Sequence, residues 1–570
     1  MNFRPSCNKL SSPALILERI QRLSSTDLHF TSPDEIASLL INRSRRLSRF
    51  ELELFLWPEQ PDFLPSTKAP EQDKIHLIFG SGLAKNQKDL SEKSFSDLFI
   101  LEPDPGLLCF FLGMADPEKI FPGARLHFFY DLENCLTKIK EVHNFWRSIS
   151  ALKLSFCVER NPEIAARLQR ELDLCNAIAG EENKTIEKHY FTWAANENQN
   201  LNQLFFRPHA SFLNERYKEI PAILIGAGPS LPGALPTLRN LHDKQRCLIV
   251  ASSTALRSLA KTGIVPDLTI IIEGKKQAHF DDLGADYLSK LNLLAALKTH
   301  PGHLDHNFRE IYWFHNQTSP LFELIAKTLP QTSPLNSGGN VINEALQFVL
   351  AAGCNPVILS GCDLAFTRGA KYAVGLEKKE GEDEAAQKRF FTVPSDSGEP
   401  LSAPTEFIAY ARSLEEIVDH QKKINDSMTF INISTGGREL AGCRPMTPDN
   451  CIDYLSGIPE REKPYLPGHH QSKPGKIPEK LQLHALQLKQ LEALVALIIN
   501  KTGPQSLQVD FIPVRYFLTQ LPEFESGIAL SAIPWLRRLL LSEQIVLEDL
   551  QELWANCRKL TRAAETGKSS

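Results

Sequence analysis

No apolar run in this chain approaches the roughly 18 residues that a bilayer-spanning helix needs, so the sequence predicts no membrane span. It also has no Lys/Arg tract. Its 63 basic residues face 68 acidic ones, for a net charge of −5, which gives no support to a general nucleic-acid or anionic-membrane surface. No C-x-x-C pair occurs, and the eleven cysteines lie at irregular spacings. That pattern argues against a disulfide framework or a zinc site and suits reduced thiols. The opening M-N-F-R-P-S-C-N-K leads into a charged segment with no apolar signal-peptide core. A cytoplasmic protein is therefore expected. A fixed-period repeat is missing as well.

What is present is enough for several cores. At 570 residues and 42 % hydrophobic content, two to four domains are expected. Residues 1–70 read as a helical segment followed by the proline-rich stretch W-P-E-Q-P-D-F-L-P. A βα pattern begins at I-H-L-I-F-G-S-G-L (75–83) and continues through L-F-I-L-E-P-D-P (98–105), with further strands expected at 124–130 and 152–158. This marks 71–215 as a Rossmann-like domain. A second α/β domain is expected over 216–457, with strands at 222–225, 248–251, 268–272, 311–314, 357–360 and 430–433. Strands alternating with helices imply parallel sheets with ligand sites at the strand C-terminal ends. A Pro/Gly/Lys-rich linker opens the last segment, 458–570, where Leu481, Leu488, Leu491, Val495 and Ile498 share one helical face. The fold class predicted is α/β: tandem Rossmann-like parallel-sheet domains with a C-terminal helical domain.

The candidate chemistry lies in five loops of the central domain. In A-I-L-I-G-A-G-P-S-L (222–231), Gly226 and Gly228 lack a Cβ, so a diphosphate could approach the backbone, and Pro229 and Ser230 start a helix whose N–H groups favour an anion. In A-S-S-T-A-L (251–256), Ser252 or Ser253 could cap a helix or hydrogen-bond a ribose or phosphate. In I-V-P-D-L-T-I-I-I-E-G (264–274), Asp267 precedes a strand and Glu273 ends it; either acid could hold a ribose hydroxyl or a metal, or serve only as a turn carboxylate. The turn L-N-S-G-G-N-V (335–341) offers Ser337, Gly338 and Asn340 as donors, and Asp363 leaves the end of V-I-L-S-G-C-D-L-A-F (357–366). Five such loops on one sheet edge point to a nucleotide or nucleotide-sugar site.

These segments, with I-N-I-S-T-G-G (431–437), resemble the central domain of the motility-associated factor (Maf) flagellin glycosyltransferases, a family also catalogued with a domain like 6-hydroxymethylpterin diphosphokinase. The resemblance covers about 216–445. It implies transfer of a nonulosonic acid, of the pseudaminic or legionaminic type, from its CMP-sugar to Ser or Thr of flagellin or another protein acceptor. It further implies that the 226–230 loop, Ser252, Ser253 and the 337–340 turn hold CMP, that Asp363 lies near the donor, and that no metal or other cofactor is required. Family members usually carry a histidine after the G-x-D-L-A-F segment; here Tyr372 takes that place and could donate to the departing phosphate. No histidine occurs between His315 and His420, so Glu273, Asp363 or a more distant histidine would have to act as base. A diphosphokinase using Mg-ATP is the second reading, although the third strand ends in I-I-E-G, where that type has D-x-D-G. A non-catalytic flagellin-binding protein is the third.

Outside those loops, F-G-S-G-L (79–83) and Glu102 match the spacing of an adenosyl-ligand site, but a structural Rossmann-like domain is favoured over a methyltransferase. H-P-G-H-L-D-H (300–306) could bind metal, with a solvated loop the favoured reading. The acidic run E-K-K-E-G-E-D-E (377–384) reads as a solvated loop that could also act as a lid.

Overall fold

The computed structural model describes residues 75–80, 97–114, 123–142, 149–153, 155–204, 206–335, 339–366, 390–459 and 461–466, with short stretches elsewhere, among them 13–22, 487–496 and 547–566. The chain divides into two compact units, 1–184 and 185–570. The 43-residue helix Pro162–Leu204 carries the chain from the first to the second.

In the first unit, strands β1 (Ile75–Phe79), β2 (Asp97–Leu101), β3 (Arg125–Phe129) and β4 (Ile149–Lys153) form one parallel sheet in the order β3-β2-β1-β4. Strand β2 is buried along its whole length, as expected when helices cover both faces of a parallel sheet. Helices α1 (Pro105–Met114) and α2 (Leu132–Val142) follow β2 and β3. The strand expected over 152–158 is displaced. β4 ends at Lys153, and a helix runs over Ser155–Arg160. The Asn176 amide fixes the start of β4 by bonding both the N–H (2.7 Å) and the C=O (2.9 Å) of Ile149. Asp97, fully buried at the head of β2, is matched by Arg125 at 2.8 Å.

The second unit is built on eight strands: β5 (Ala222–Ile225), β6 (Leu248–Ser252), β7 (Leu268–Ile271), β8 (Asn292–Ala296), β9 (Glu310–Phe314), β10 (Val357–Ser360), and, beyond a hairpin of β11 (Phe390–Pro394) and β12 (Pro400–Pro404), β13 (Phe430–Asn432) and β14 (Arg444–Pro445). The eight order as β14-β13-β10-β5-β6-β7-β8-β9, all pairs parallel. Strand β8 falls where the sequence suggests only a helical connection. Its N-L-L-A-A run is buried on both faces, and such a run carries no period of two to set it apart from a buried helix.

Alternation along β5 splits the core. Ala222 and Leu224 face the helices Val341–Ala351 and Thr405–Ile424, whereas Ile223 and Ile225 face the helix Leu231–Lys244. Leu346, Phe348 and Val349 of the first covering helix and Leu414 and Val418 of the second complete one layer. Leu238 and Leu241 complete the other. Each fully buried Leu or Ile of these layers stabilises the fold by about 1.5–3 kcal/mol. The mixed α/β class with tandem parallel sheets is thus the observed architecture, and C-terminal helices include Leu547–Thr566. Among the described residues no helix is long and apolar enough to cross a membrane.

Candidate functional site at the C-terminal edge of the sheet

From β5 the chain steps outward through β6, β7, β8 and β9 and then returns to place β10 on the other side of β5. The C-terminal ends of β5 and β10 therefore flank the point where strand order reverses, which is where open α/β sheets hold ligands. The loops leaving these two strands lock into each other. Gly226 N–H donates to Ser360 O (2.8 Å), Gly228 N–H to Gly361 O (2.8 Å), and Ser230 to Asp363 through both its N–H (3.1 Å) and its hydroxyl (2.7 Å). A Cβ on Gly228 would stand 2.0 Å from Asp363 Oδ2, and one on Gly226 would stand 2.4 Å from Gly361 O. Gly361 has φ +64°, which only glycine adopts at no steric cost.

Both glycines are thus required by the close approach of a second loop of the same chain. Asp363, 2 % exposed, puts its carboxylate at the N-terminus of the helix Leu231–Lys244, where an anion is favoured by the helix dipole. Pro229 has no N–H, and Ser230 makes no side-chain capping bond within its own helix. Gly437 and Arg438 close the lock from behind, Arg438 N–H donating to Asp363 O at 2.9 Å. Between them, Cys362 is buried, and burial followed by the Asp363 charge pushes its thiol up to about 12, so it stays protonated and non-nucleophilic.

The unpaired polar atoms lie further along the same edge. Ser252 Oγ, at the end of β6, is buried with no hydrogen-bond partner among the described residues, and it makes no capping bond to the turn that follows. The plain N-cap reading of Ser252 is therefore not what the structure shows. Ser253, 6 % exposed, begins that turn. Asn340 caps Val341–Ala351, its Oδ1 accepting from Ile342 N–H (2.8 Å) and Asn343 N–H (3.1 Å), while its buried Nδ2 has no partner among the described residues. One turn into that helix, Glu344 is fully buried. Its Oε1 accepts from Asn316 Nδ2 at 3.1 Å, and its Oε2 has no partner among the described residues. Burial raises the Glu344 pKa above its ordinary value, and the Lys298 charge and the Asn316 bond oppose that rise. Lys298, 9 % exposed, follows β8 and holds its ammonium 4.9 Å over the Trp193 ring.

Glu273 follows β7 on this edge, its C=O accepting from His300 N–H at 2.9 Å. Asn196 ties the adjoining backbone together by donating to Gly274 O (2.8 Å) and Lys298 O (3.0 Å). Asp267 does not join this group. It precedes β7, at the opposite edge of a parallel sheet whose strands rise about 3.3 Å per residue. There its carboxylate accepts from Ile249 N–H (2.8 Å) and pairs with Lys463 (2.8 Å). Ser337, Gly338 and Tyr372 lie outside the described residues, as does the acidic run 377–384.

The 300–306 loop is folded and not merely solvated. His303 is 1 % exposed, its Nε2 lies 3.0 Å from Lys275 O, and its pKa is lowered chiefly by burial. Among the described residues no group of three or more His, Cys, Asp or Glu side chains could hold a metal ion. A buried imidazole pair stands at the end of β9, where His209 Nε2 is 3.2 Å from His315 Nδ1. Burial lowers the pKa of His209 to about 3 and that of His315 to about 4, so both are neutral.

Glu344, Asn316 and Lys298 are missing from the residues that sequence reasoning singles out. A usable signal was present for two of them. Glu344 is the one charged residue in V-I-N-E-A-L-Q-F-V-L-A, and Lys298 the one charged residue in L-N-L-L-A-A-L-K-T.

Residues 195–369 match the family model described as 6-hydroxymethylpterin diphosphokinase MptE-like. That stretch contains the locked loops and the unpaired atoms just described, and it bears out the resemblance to diphosphokinase-like domains read from the motifs. No curated protein matches the chain. Among solved structures, the chain is similar to the MAf glycosyltransferase from Magnetospirillum magneticum AMB-1, at 14 % identity and a TM-score of 0.48, over 97 % of this chain and 93 % of that one.

Proposed function

We propose that the C-terminal edge of the eight-stranded sheet binds a CMP-activated nonulosonic acid and that the protein transfers the sugar to a Ser or Thr hydroxyl of flagellin or another protein acceptor. The observation that carries this reading is a set of buried polar atoms on one edge that have no partner among the described residues: the Ser252 hydroxyl, the Asn340 amide and the second oxygen of Glu344. Buried polar groups are ordinarily satisfied, so such a set calls for a ligand. A hydroxyl, an amide donor and a carboxyl group complement the hydroxyls and phosphate oxygens of a nucleotide-sugar. The sugar and the acceptor class come from the motif resemblance.

In this reading Asp363 is a positioning residue that holds the Gly226–Ser230 loop as one wall of the site. Ser252, Ser253 and Asn340 contact the nucleotide, and Lys298 supplies positive charge to the anionic donor. Tyr372 donates a proton to the leaving phosphate, and Glu273 takes the proton of the acceptor hydroxyl. No metal or other cofactor is part of the scheme. The test is a thermal-shift comparison of CMP with Mg-ATP, followed by mass analysis of an acceptor incubated with CMP-nonulosonic acid. CMP at about 100 times its Kd adds about 2.7 kcal/mol of stability. That shift should disappear in Ser252→Ala and persist in Asp267→Asn.

The family model favours a second reading, a diphosphokinase acting on Mg-ATP at the same edge. A shift with Mg-ATP that depends on Glu273, and none with CMP, would replace the first reading by this one.

A further inference from the structure

The opposite, N-terminal edge of the same sheet carries a groove of about 710 Å³. It is bounded by the end of the helix Leu231–Lys244, the starts of β7 and β8, Arg309 before β9, and the strap 461–466. Six Lys and Arg side chains line it (Lys244, Arg246, Lys290, Arg309, Arg461 and Lys463) against two acids, Asp267 and Glu462. This excess is local, because the whole chain has a net charge of −5.

The cations divide into those that build the groove and those that remain over. Lys463 pairs with Asp267 at 2.8 and 3.0 Å and donates to Cys247 O at 3.2 Å, which pins the strap to the sheet. Lys290 is answered by Asp286 on its own turn. Arg246 donates to Ile458 O at 2.8 Å, and Arg309 lies 4.7 Å over the ring of Tyr465, so both guanidinium groups are held in place. Lys244 and Arg461 are exposed and have no partner among the described residues. Tyr465, 69 % exposed, gives the rim an aromatic face.

We propose that this groove docks an acidic polypeptide segment of a partner protein. A compact phosphate needs convergent donors, ideally at a helix N-terminus. Here the neighbouring helix presents its C-terminus, with Gln245 in the left-handed capping conformation, and that end of a helix disfavours anions unless side chains supply the charge. The cations arise from separate segments and spread around the rim, an arrangement that pairs with carboxylates distributed along a chain. Held arginines and an exposed tyrosine are the residue types that anchor protein interfaces.

The test uses the full chain and a fluorescein-labelled Glu-Gly repeat peptide of about ten residues, followed by polarisation from about 50 to about 300 mM salt. The expected result is binding that weakens with salt, is absent for the matching Gln-Gly peptide, and falls about tenfold in Lys244→Glu/Arg461→Glu with an unchanged melting temperature. Lys244→Ala/Arg461→Ala should give an intermediate loss. No binding by the unsubstituted protein, equal binding by the charge-reversed variant, or displacement of the peptide by inorganic pyrophosphate at lower concentration than by unlabelled peptide would each overturn the proposal.

Discussion

The two edges of the eight-stranded sheet use polar residues in opposite ways. At the N-terminal edge the interior acid Asp267 is answered by Lys463 and by Ile249 N–H, and the surplus charge is exposed. At the C-terminal edge Asp363 is consumed by the Gly226–Ser230 lock, yet Ser252, Asn340 and Glu344 each keep a buried atom unpaired among the described residues. A fold at equilibrium tolerates few such atoms, because each costs about 1–3 kcal/mol of desolvation. The difference separates architecture from function: the acids that look most like ligands hold the chain together, and the residues left wanting a partner are less conspicuous ones.

The largest way to break this contrast is Gly228→Val. Its side chain would enter the space of Asp363 Oδ2 and of the Gly361 backbone oxygen, and a loss of about 3 kcal/mol in urea unfolding is expected. An unchanged stability would mean that the two loops are not locked. Next comes Lys463→Met, which strands Asp267. The pair is partly exposed, at 10 % and 21 %, so the expected loss of about 2 kcal/mol lies between surface and fully buried ion pairs. CMP binding at the other edge should be untouched, and a parallel loss of both would show that the edges are coupled.

Glu344→Gln sharpens the comparison from the functional side. The amide keeps an acceptor for Asn316, so stability near neutral pH should change by no more than about 1 kcal/mol while the CMP-induced shift is lost. A sign follows from the raised Glu344 pKa. Its folded-state value lies above the unfolded one, so its contribution favours the fold at low pH and is lost as the pH rises past 4.5. Glu344→Gln should therefore gain on the parent protein as the pH rises above 4.5 in paired unfolding curves. A constant difference across that range would count against a carboxyl of raised pKa.

A further contrast concerns His209 and His315. Both folded-state values, about 3 and about 4, lie below the ordinary 6.5, so the stability they permit is complete above pH 6.5 and falls as the pH drops toward 4. His209→Gln should flatten that fall. Equal slopes in the two proteins would exclude the imidazole pair as its source.

Much of the frame was legible because its signals are local. Runs such as A-I-L-I and V-I-L-S, each followed by glycine, can end only as buried strands turning sharply, and both do so at the expected residues. Strand β8 was hidden because N-L-L-A-A carries no periodicity. The 152–158 strand slipped to Ile149–Lys153 because its anchor is the distant Asn176 amide. At the site, Ser252, Ser253, Asn340 and Glu273 fall on one edge as their strand-end positions imply, and Asp267 falls on the other. Direction along a strand is readable from sequence. What each carboxylate will meet is not.

By itself, the sequence determined the α/β class, the parallel strands and the loops that carry small and polar residues at strand ends, since each depends on hydrophobic pattern and on the steric needs of a few consecutive residues. Only the tertiary structure decided that Gly226 and Gly228 make room for Gly361 and Asp363, about 135 positions away, and that Glu344 lies buried beside Asn316 with an oxygen to spare. Those outcomes depend on which strands become neighbours, and strand order is fixed by packing of the whole sheet.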